Sequence, residues 1–350
     1  MKPVLICGGV GTKMWPASRQ TMPKHFLPLI GNKSLFEINY ELLRQKFDPE
    51  KIYVSTTESQ YKLAKKAAAE IPDENYFLEP EMRNTGPAIG FVAAKLYKKF
   101  ADVPFVIVQT DILRQPGDKF LEILDNFERL VLENNKWVTG AIKPPFLMRG
   151  VDYMVSGDEI SDGVWQLSDW LQRDREEEIK KAMDDGRAWL HANHYCWTPR
   201  LWLESYMRYK PEWAKPLMEI ATGGDERKIY PEIVKGPTED WTVLSVPRGE
   251  GMMVELPFEW MDFGTWESLT KYLEEQGKQE SKKAGKNVYE IDSKNNFYRT
   301  PSGKFVATIG VENLVVVDTG DALLICKRDQ SGRVGEVVDY LKEKNRSELL

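Results

Sequence analysis

The chain has 350 residues, more than one hydrophobic core ordinarily spans, which predicts a large α/β domain with a smaller appendage. With 42% hydrophobic and 29% charged residues it is too apolar for a disordered chain. Lys and Arg number 48 against 54 Asp and Glu, a net charge of -6, which excludes the basic footprint of a general nucleic-acid binder. Cys7, Cys196 and Cys326 are odd in number and far apart, so neither a disulfide framework nor a zinc motif is built from them, and a reducing cytoplasm is the expected compartment. The apolar run at the N-terminus is too short for a signal segment and is cut by Gly8-Gly9. No stretch approaches a membrane span, so no membrane partner is expected.

Val4-Leu5-Ile6 runs into Gly8-Gly9-Val10-Gly11 and reads as a buried strand entering a glycine turn. The spacing of Leu35, Ile38, Leu42, Leu43 and Phe47 predicts a helix over 34–47, followed by a strand at 51–55 and a helix at 60–70. A second apolar strand at 103–109 ends at Thr110-Asp111, and an amphipathic helix follows at 119–133. Strands at 164–167, 242–246 and 252–256 are expected among helices at 175–184, 200–209 and 266–276. His191 and His194 have the spacing of neighbours on a helix, but no third metal ligand accompanies them. Residues 278–286, nearly all polar, read as a linker. Beyond it come short strands at 305–309, 314–317 and 322–326, turns at Ser302-Gly303 and Thr319-Gly320, and a helix at 334–344.

This order predicts a doubly wound, Rossmann-like mixed sheet over residues 1–277, the linker, and a small β-rich domain over 287–350 that ends in a helix. No repeat of fixed period makes the whole chain a solenoid. Ligands of such sheets lie beyond the carboxyl ends of the strands, where Gly8 to Lys13 and Asp111 fall. The glycine turn fits neither of two common phosphate loops. A Walker loop needs a glycine directly before Lys13, and a dinucleotide fingerprint needs one where Met14 stands. What remains is a backbone that an anion or a flat base can approach closely, with Lys13 adding positive charge; a plain tight turn is the alternative.

The continuation is more specific. Gly8-Gly9-Val10-Gly11-Thr12-Lys13-Met14-Trp15-Pro16-Ala17-Ser18-Arg19, followed by Pro23-Lys24-His25-Phe26-Leu27, resembles the GGxGTRLWPLSR and PKQFL signature of the sugar-nucleotide pyrophosphorylases of the mannose-1-phosphate guanylyltransferase family. Glu79-Pro80-Glu81-Met82-Arg83-Asn84-Thr85-Gly86-Pro87-Ala88-Ile89 is similar to that family's EPxxRNTAPAI, and Trp260-Met261-Asp262-Phe263-Gly264-Thr265-Trp266 to its WSDVGSW. The segment from Leu314 to Leu324 resembles its VVVDTxDALLV. These blocks run in the family's order along essentially the whole chain. The resemblance therefore implies a nucleotidyltransferase fold and a reaction of GTP with a sugar-1-phosphate that yields a GDP-sugar, GDP-mannose first, and pyrophosphate.

By the same resemblance, Asp111 and Asp262 are the expected ligands of Mg²⁺, an ion that needs one or two carboxylates besides phosphate oxygens and water. Lys13, Lys24 and Arg173 are the expected catalytic cations. Gly8, Gly9, Gly11, Thr12, Arg83, Asn84 and Thr85 are expected to frame the nucleotide, with Glu79 and Asn84 offering polar groups to the guanine edge. Arg83 has a structural alternative, bracing its loop through backbone carbonyls. A homodimer is left open as a further partner.

The sugar half departs from the family. Its GYGYI stands here as Gly150-Val151-Asp152-Tyr153-Met154, its FVEKP as Trp170-Leu171-Gln172-Arg173-Asp174, and its WNSG as Leu190-His191-Ala192-Asn193. Ser245 stands for a glutamate and Lys13 for the loop arginine, which keeps the charge but loses the bidentate fork. Asp152, Gln172 and Asn193 are thus the expected sugar contacts, and a pocket altered at several hydroxyl-binding positions could redirect the acceptor, the alternative being ordinary divergence with mannose retained. Two readings compete. One is a regulatory paralogue that binds GTP or a sugar nucleotide without turnover; the other is an NAD-dependent oxidoreductase, resting on the glycine turn alone.

Overall fold

The computed structural model describes residues 1–148, 151–277, 283–284, 287–301 and 303–350. Most of the expected linker, 278–282 and 285–286, lies outside the described residues, as does Ser302 of the turn expected at 302–303. The chain forms two compact units, each assembled from separate stretches: Met1–Cys7, Asn39–Thr110 and Arg114–Trp260 make the first, and Gly8–Ile38, Asp111–Leu113 and Met261–Leu350 the second.

The first unit is built on a nine-stranded sheet. In chain order its strands are β1 (Lys2–Ile6), β2 (Tyr53–Thr57), β3 (Tyr76–Glu79), β4 (Phe105–Gln109), β5 (Trp137–Ile142), β6 (Tyr153–Ser161), β7 (Val164–Leu171), β8 (Ala188–Trp197) and β9 (Gly251–Glu255). They are arranged β3-β2-β1-β4-β8-β5-β9-β7-β6. The pairs β3–β2, β2–β1 and β1–β4 are parallel, whereas β8 is antiparallel to both β4 and β5. The sheet is therefore mixed. Continuous apolar runs such as Val4-Leu5 and Phe105-Val106-Ile107-Val108 are buried throughout, as expected of strands covered on both faces.

The expected helices are present as α1 (Leu35–Arg44), α2 (Tyr61–Ala67), α4 (Gly117–Asn134), α5 (Glu176–Asp184), α6 (Pro199–Tyr209), α9 (Trp266–Glu275) and α10 (Val334–Glu343). Sequence periodicity missed α3 (Thr85–Phe100) and α7 (Pro211–Ala221). It also misassigned 242–246, which falls at the end of helix α8 (Glu239–Ser245). Trp241, Thr242 and Ser245 are fully buried while Leu244 is 44% exposed, a one-sided pattern that a helix satisfies and an alternating strand does not. A second correction concerns His191 and His194, which lie on strand β8 and not on a helix.

Helix α3 begins at Asn84, whose φ of 70° and side-chain bond from the Thr85 N–H form its cap. Gly86 and Gly90, one helical turn apart, let α7 and α6 press against it: a Cβ on Gly86 would stand 2.4 Å from Trp213, and one on Gly90 2.4 Å from Leu217. Beside them Trp137, Tyr195, Trp197, Trp202, Tyr206 and Trp241 form an aromatic cluster in which Trp241 is central.

The second unit has its own core, in which Met14, Trp15, Leu35, Leu113, Phe263, Trp266, Leu269, Val315 and Val338 are buried together. Thr265 opens α9 with a capping box shared with Ser268, and the Trp266 indole donates to the Trp15 carbonyl at 3.1 Å. Towards the C-terminus the chain winds into coils. Strand β10 (Val288–Ile291) is parallel to β12 (Val306–Ile309), and β11 (Phe297–Arg299) to β13 (Leu314–Asp318). Val288 faces Val306, Lys294 faces Glu312 and Phe297 faces Val315, an offset of 18 residues each time. The corners recur with the same offset in left-handed conformation: Asp292 and Gly310 (φ 49° and 65°), then Asn295 and Asn313 (φ 56° and 58°). Buried Asn296 ties the coils, accepting from the Leu314 N–H and donating to the Val311 carbonyl. Strand β14 (Leu323–Lys327) then turns back antiparallel to β13.

Candidate functional site

The second unit brings together Lys24, Asp111 and Asp262. Lys24 lies in the short 3-10 turn Lys24–Phe26, Asp111 follows β4 in the chain, and Asp262 ends the short strand Glu259–Asp262. The Lys24 Nζ stands 2.7 Å from Asp111 Oδ2 and 3.0 Å from Asp262 Oδ1. Its side chain is 7% exposed, whereas those of Asp111 and Asp262 are 37% and 43% exposed. Burial pulls the lysine pKa down, and the two carboxylates outweigh it, so the group stays charged. Desolvation pushes both carboxylates up; at Asp111 the Lys24 ammonium reverses this, whereas at Asp262 the neighbouring Asp111 charge adds to it and the pKa is raised. Gly264 leaves room for the Asp262 carboxylate, since a Cβ there would lie 3.3 Å from Oδ2.

The glycine turn belongs to the same unit. Gly8 and Gly9 are exposed, with open space where a Cβ would project. Gly11 has a φ of 79°, and a Cβ on it would come 2.5 Å from the Cβ of Lys24, so both the turn and the lysine stem demand glycine. The turn is fixed by Lys24 N donating to the Val10 carbonyl and by Ser18 Oγ donating to that of Gly11. Thr12 and Lys13 open the 3-10 turn Thr12–Met14, with Lys13 exposed and close enough for its charge to act on Asp262. Among the described residues no three His, Cys, Asp or Glu side chains gather as a metal cage. The pair of aspartates instead offers hard oxygen donors of the kind that suit an ion completing its shell with phosphate and water.

The expected nucleotide-framing residues of the first unit have mixed placements. Glu79 ends β3 and is 6% exposed, with Oε2 accepting from the Tyr230 hydroxyl at 2.8 Å. A buried, bonded carboxyl is not a free edge for a base. Arg83 pairs with Glu81 at 2.8 Å, and its main-chain carbonyl accepts from the Gly236 N–H. Asn84 is the α3 cap and Thr85 Oγ1 accepts from the Thr238 N–H, so both side chains serve the start of the helix.

Burial raises the Glu79 pKa from 4.5 to about 7 against the opposing bond from Tyr230. The folded chain then holds a proton that the unfolded chain releases, so this contribution is complete below pH 4.5 and is lost as the pH rises through 7. Glu79→Gln is expected to be more stable than the native chain by about 3 kcal/mol at pH 8, with the difference vanishing at pH 4. Urea unfolding at the two pH values measures it, and a pH-independent difference would refute the assignment.

Two of the three expected sugar contacts meet one of the expected catalytic cations. Asp152, Gln172 and Arg173 line a cavity of about 320 Å³ with Asp174, Pro237, Glu239 and Asp240. Strands β6 and β7 pair antiparallel with Tyr153 beside Leu171, which brings Asp152 to Arg173: one carboxylate oxygen accepts from the arginine N–H at 3.0 Å and from Nε at 3.1 Å. Asn193 is not part of this lining; it sits at an irregularity of β8 with a φ of 55° and bonds His191. His191 pairs with Thr139 Oγ1 at 2.9 Å, while His194 accepts from Arg114 Nε at 2.9 Å. Burial lowers the pKa of both, to about 3 for His191. Sequence reading missed Tyr230, Glu239 and Asp240. The acidic first turn at Glu239-Asp240 was the available signal for a helix start, but no local pattern ties it to Asp152.

Similarity to known proteins extends along the chain. Residues 2–144 match the family described as Nucleotidyl transferase, and residues 286–341 match the MannoseP isomerase/GMP-like beta-helix domain. A mannose-1-phosphate guanylyltransferase of Salmonella muenchen is 28% identical over 363 residues, covering 99% of this chain and 74% of its own length. The xanthan biosynthesis protein XanB of Xanthomonas campestris pv. campestris is 26% identical over 354 residues with the same coverage of 99% and 74%. A crystal structure described as mannose-1-phosphate geranyltransferase from Thermus thermophilus superposes with a TM-score of 0.83 at 24% identity, covering 97% of this chain and 99% of that one.

Proposed function

We propose that this chain, whose nucleotidyltransferase fold carries a C-terminal β-helix domain, is a cytoplasmic enzyme that joins GTP and a sugar-1-phosphate into a GDP-sugar, GDP-mannose first, with release of pyrophosphate. The observation that carries the reading is the Lys24–Asp111–Asp262 cluster in the unit that also holds the open glycine turn. In the reaction an oxygen of the sugar phosphate attacks the α-phosphorus, the bond to the bridging oxygen breaks, and pyrophosphate leaves with the electron pair. The attacking oxyanion needs no general base, so the protein's part is position and charge.

In this reading Gly8, Gly9, Gly11 and Thr12 present backbone to the phosphates while Lys13 and Lys24 supply positive charge. Asp111 and Asp262 would hold Mg²⁺, which when bound absorbs charge on the phosphate oxygens. The start of α3, with Arg83, Asn84 and Thr85, frames the nucleotide, and Arg173 addresses the sugar phosphate. Residues 1–277 then act as the catalytic domain, 278–286 as a linker and 287–350 as the appended domain. Among the described residues no helix is long and apolar enough to cross a membrane.

One observation bears on how the sugar phosphate is met. Asp152 already accepts from the Arg173 backbone N–H and from its Nε, and Glu239, Asp240 and Asp174 line the same cavity. The test is pyrophosphate release with Mg²⁺, GTP or another NTP, and a panel of sugar-1-phosphates. Turnover with none of them would refute the enzyme reading, and preference for a different sugar would decide the acceptor. Asp152→Gly frees the guanidinium and is expected to lower KM for the sugar phosphate about tenfold, the equivalent of one charge-assisted hydrogen bond. An unchanged KM would remove Arg173 from the sugar-phosphate site.

A further inference from the structure

We propose that Lys24 holds the place of the metal until a nucleotide arrives, so that Asp111 and Asp262 take up a divalent cation together with the triphosphate and not before it. This rests on the reading above that the two aspartates are the metal site. The ammonium takes one oxygen from each carboxylate, at 2.7 and 3.0 Å, and so bridges them as a shared cation does. The lysine side chain is 7% exposed, against 37% and 43% for the two carboxylates.

The lysine is not free to withdraw. Its backbone N–H is bonded to the Val10 carbonyl, and its stem runs so close to Gly11 that a Cβ there would approach within 2.5 Å. A buried ammonium stripped of its carboxylates would be an uncompensated charge, so in the resting chain the three groups stay together. A divalent ion entering the pair therefore meets a fixed positive charge at short range and finds one oxygen of each carboxylate committed. A triphosphate changes both conditions. Its negative charges offset the added cation, and its oxygens give the ammonium a new partner, which releases the carboxylate oxygens. Linkage then makes the effect mutual, with nucleotide and metal each tightening the other's binding.

The test titrates Mn²⁺ alone into the full chain and follows free Mn²⁺ by electron paramagnetic resonance. Without nucleotide, Lys24→Met is expected to bind Mn²⁺ at least about tenfold more tightly than the native chain, and Lys24→Met/Asp111→Asn to lose the gain. Lys24→Gln, which keeps an amide donor for one carboxylate, should move in the same direction and serves if the Met variant does not fold. In the native chain, saturating GTP should raise protein-bound Mn²⁺ affinity about tenfold beyond the Mn–GTP complex formed without protein, a measurement that needs no variant. A lysine acting only as a structural tie would lower the stability of the variants without changing their Mn²⁺ affinity.

Equal Mn²⁺ affinity in native chain and variants overturns the inference, as does native-chain affinity that GTP leaves unchanged. Asp111→Asn separates that failure from failure of the underlying reading. If it abolishes Mn²⁺ binding, the metal site stands and only the placeholder role falls; if it leaves binding intact, both fall.

Discussion

Asp111→Asn is expected to lower kcat for GDP-sugar formation by about a hundredfold to a thousandfold. The substitution keeps the size of the side chain and an oxygen within reach of Lys24, so the geometry around the 2.7 Å contact survives while the charge disappears. On the proposed reading, what would be lost is the ability of the cluster to hold a divalent cation against a polyphosphate, and that loss would fall on the transition state, where phosphate charge is greatest. Asp262→Asn should act in the same direction. Raising Mg²⁺ should recover part of the rate in either variant, since an amide oxygen remains as a weak donor. The measurement is single-turnover pyrophosphate release at saturating GTP. A loss of less than about threefold would place the chemistry elsewhere, because electrostatic stabilisers of this kind contribute far more than that.

Trp241→Ala is expected to destabilise the chain by about 3–5 kcal/mol, the cost of emptying a large aromatic site in a packed core. Trp241 is fully buried, with ring centroids 4.9 Å from Trp202, 5.3 Å from Trp137 and 5.6 Å from Tyr206. Its Nε1 donates at 2.9 Å to Ser205 Oγ, which donates at 2.6 Å to Glu250, so truncation also leaves a polar chain without its first member. The effect should reach function as well. Trp241 directly follows Glu239 and Asp240, which line the cavity around Arg173, and it anchors the helix that carries them. The urea midpoint reports the stability loss. Trp241→Phe, which keeps most of the volume, should cost less than half as much, and equal losses would mean that packing is not the cause.

The sequence made the main elements of the candidate site legible because they are local. A strand that runs into Gly8-Gly9, a lysine after Pro23 and an aspartate just beyond an apolar strand are readable over a few residues, and Lys24, Asp111 and Asp262 do converge. The partnership of Lys24 with both carboxylates was not legible, since it depends on three distant segments. Asp152 and Arg173 were each identified from block resemblance, but their mutual bond follows from the register of β6 on β7, which no spacing announces. Glu79 and Asn84 read as groups for a base, and the fold uses one as a buried partner of Tyr230 and the other as a helix cap. The segment 242–246 carries strand-forming residues, yet burial of Trp241, Thr242 and Ser245 on one side selects a helix, a case of tertiary packing overriding propensity. The coiled repeat escaped notice because most of its side chains vary. At the 18-residue offset Val288 and Val306, Ile291 and Ile309, and Asn295 and Asn313 are identical, and the left-handed corners at 292 and 310 share only their backbone conformation.

That repeat fixes how the C-terminal region can change in length. Each coil returns the chain to its starting side after 18 residues, so an insertion of one whole coil would add a rung and deliver the following strand and helix α10 to equivalent positions on the stack. An insertion of a single residue within β13 has no such outlet: it would shift Val315 and Val317, both fully buried, out of register with Cys326 and Leu324 on β14. Length variation among relatives of this region is therefore expected in whole coils or at the corners, and a chimera that adds one coil should fold with its flanking elements unchanged.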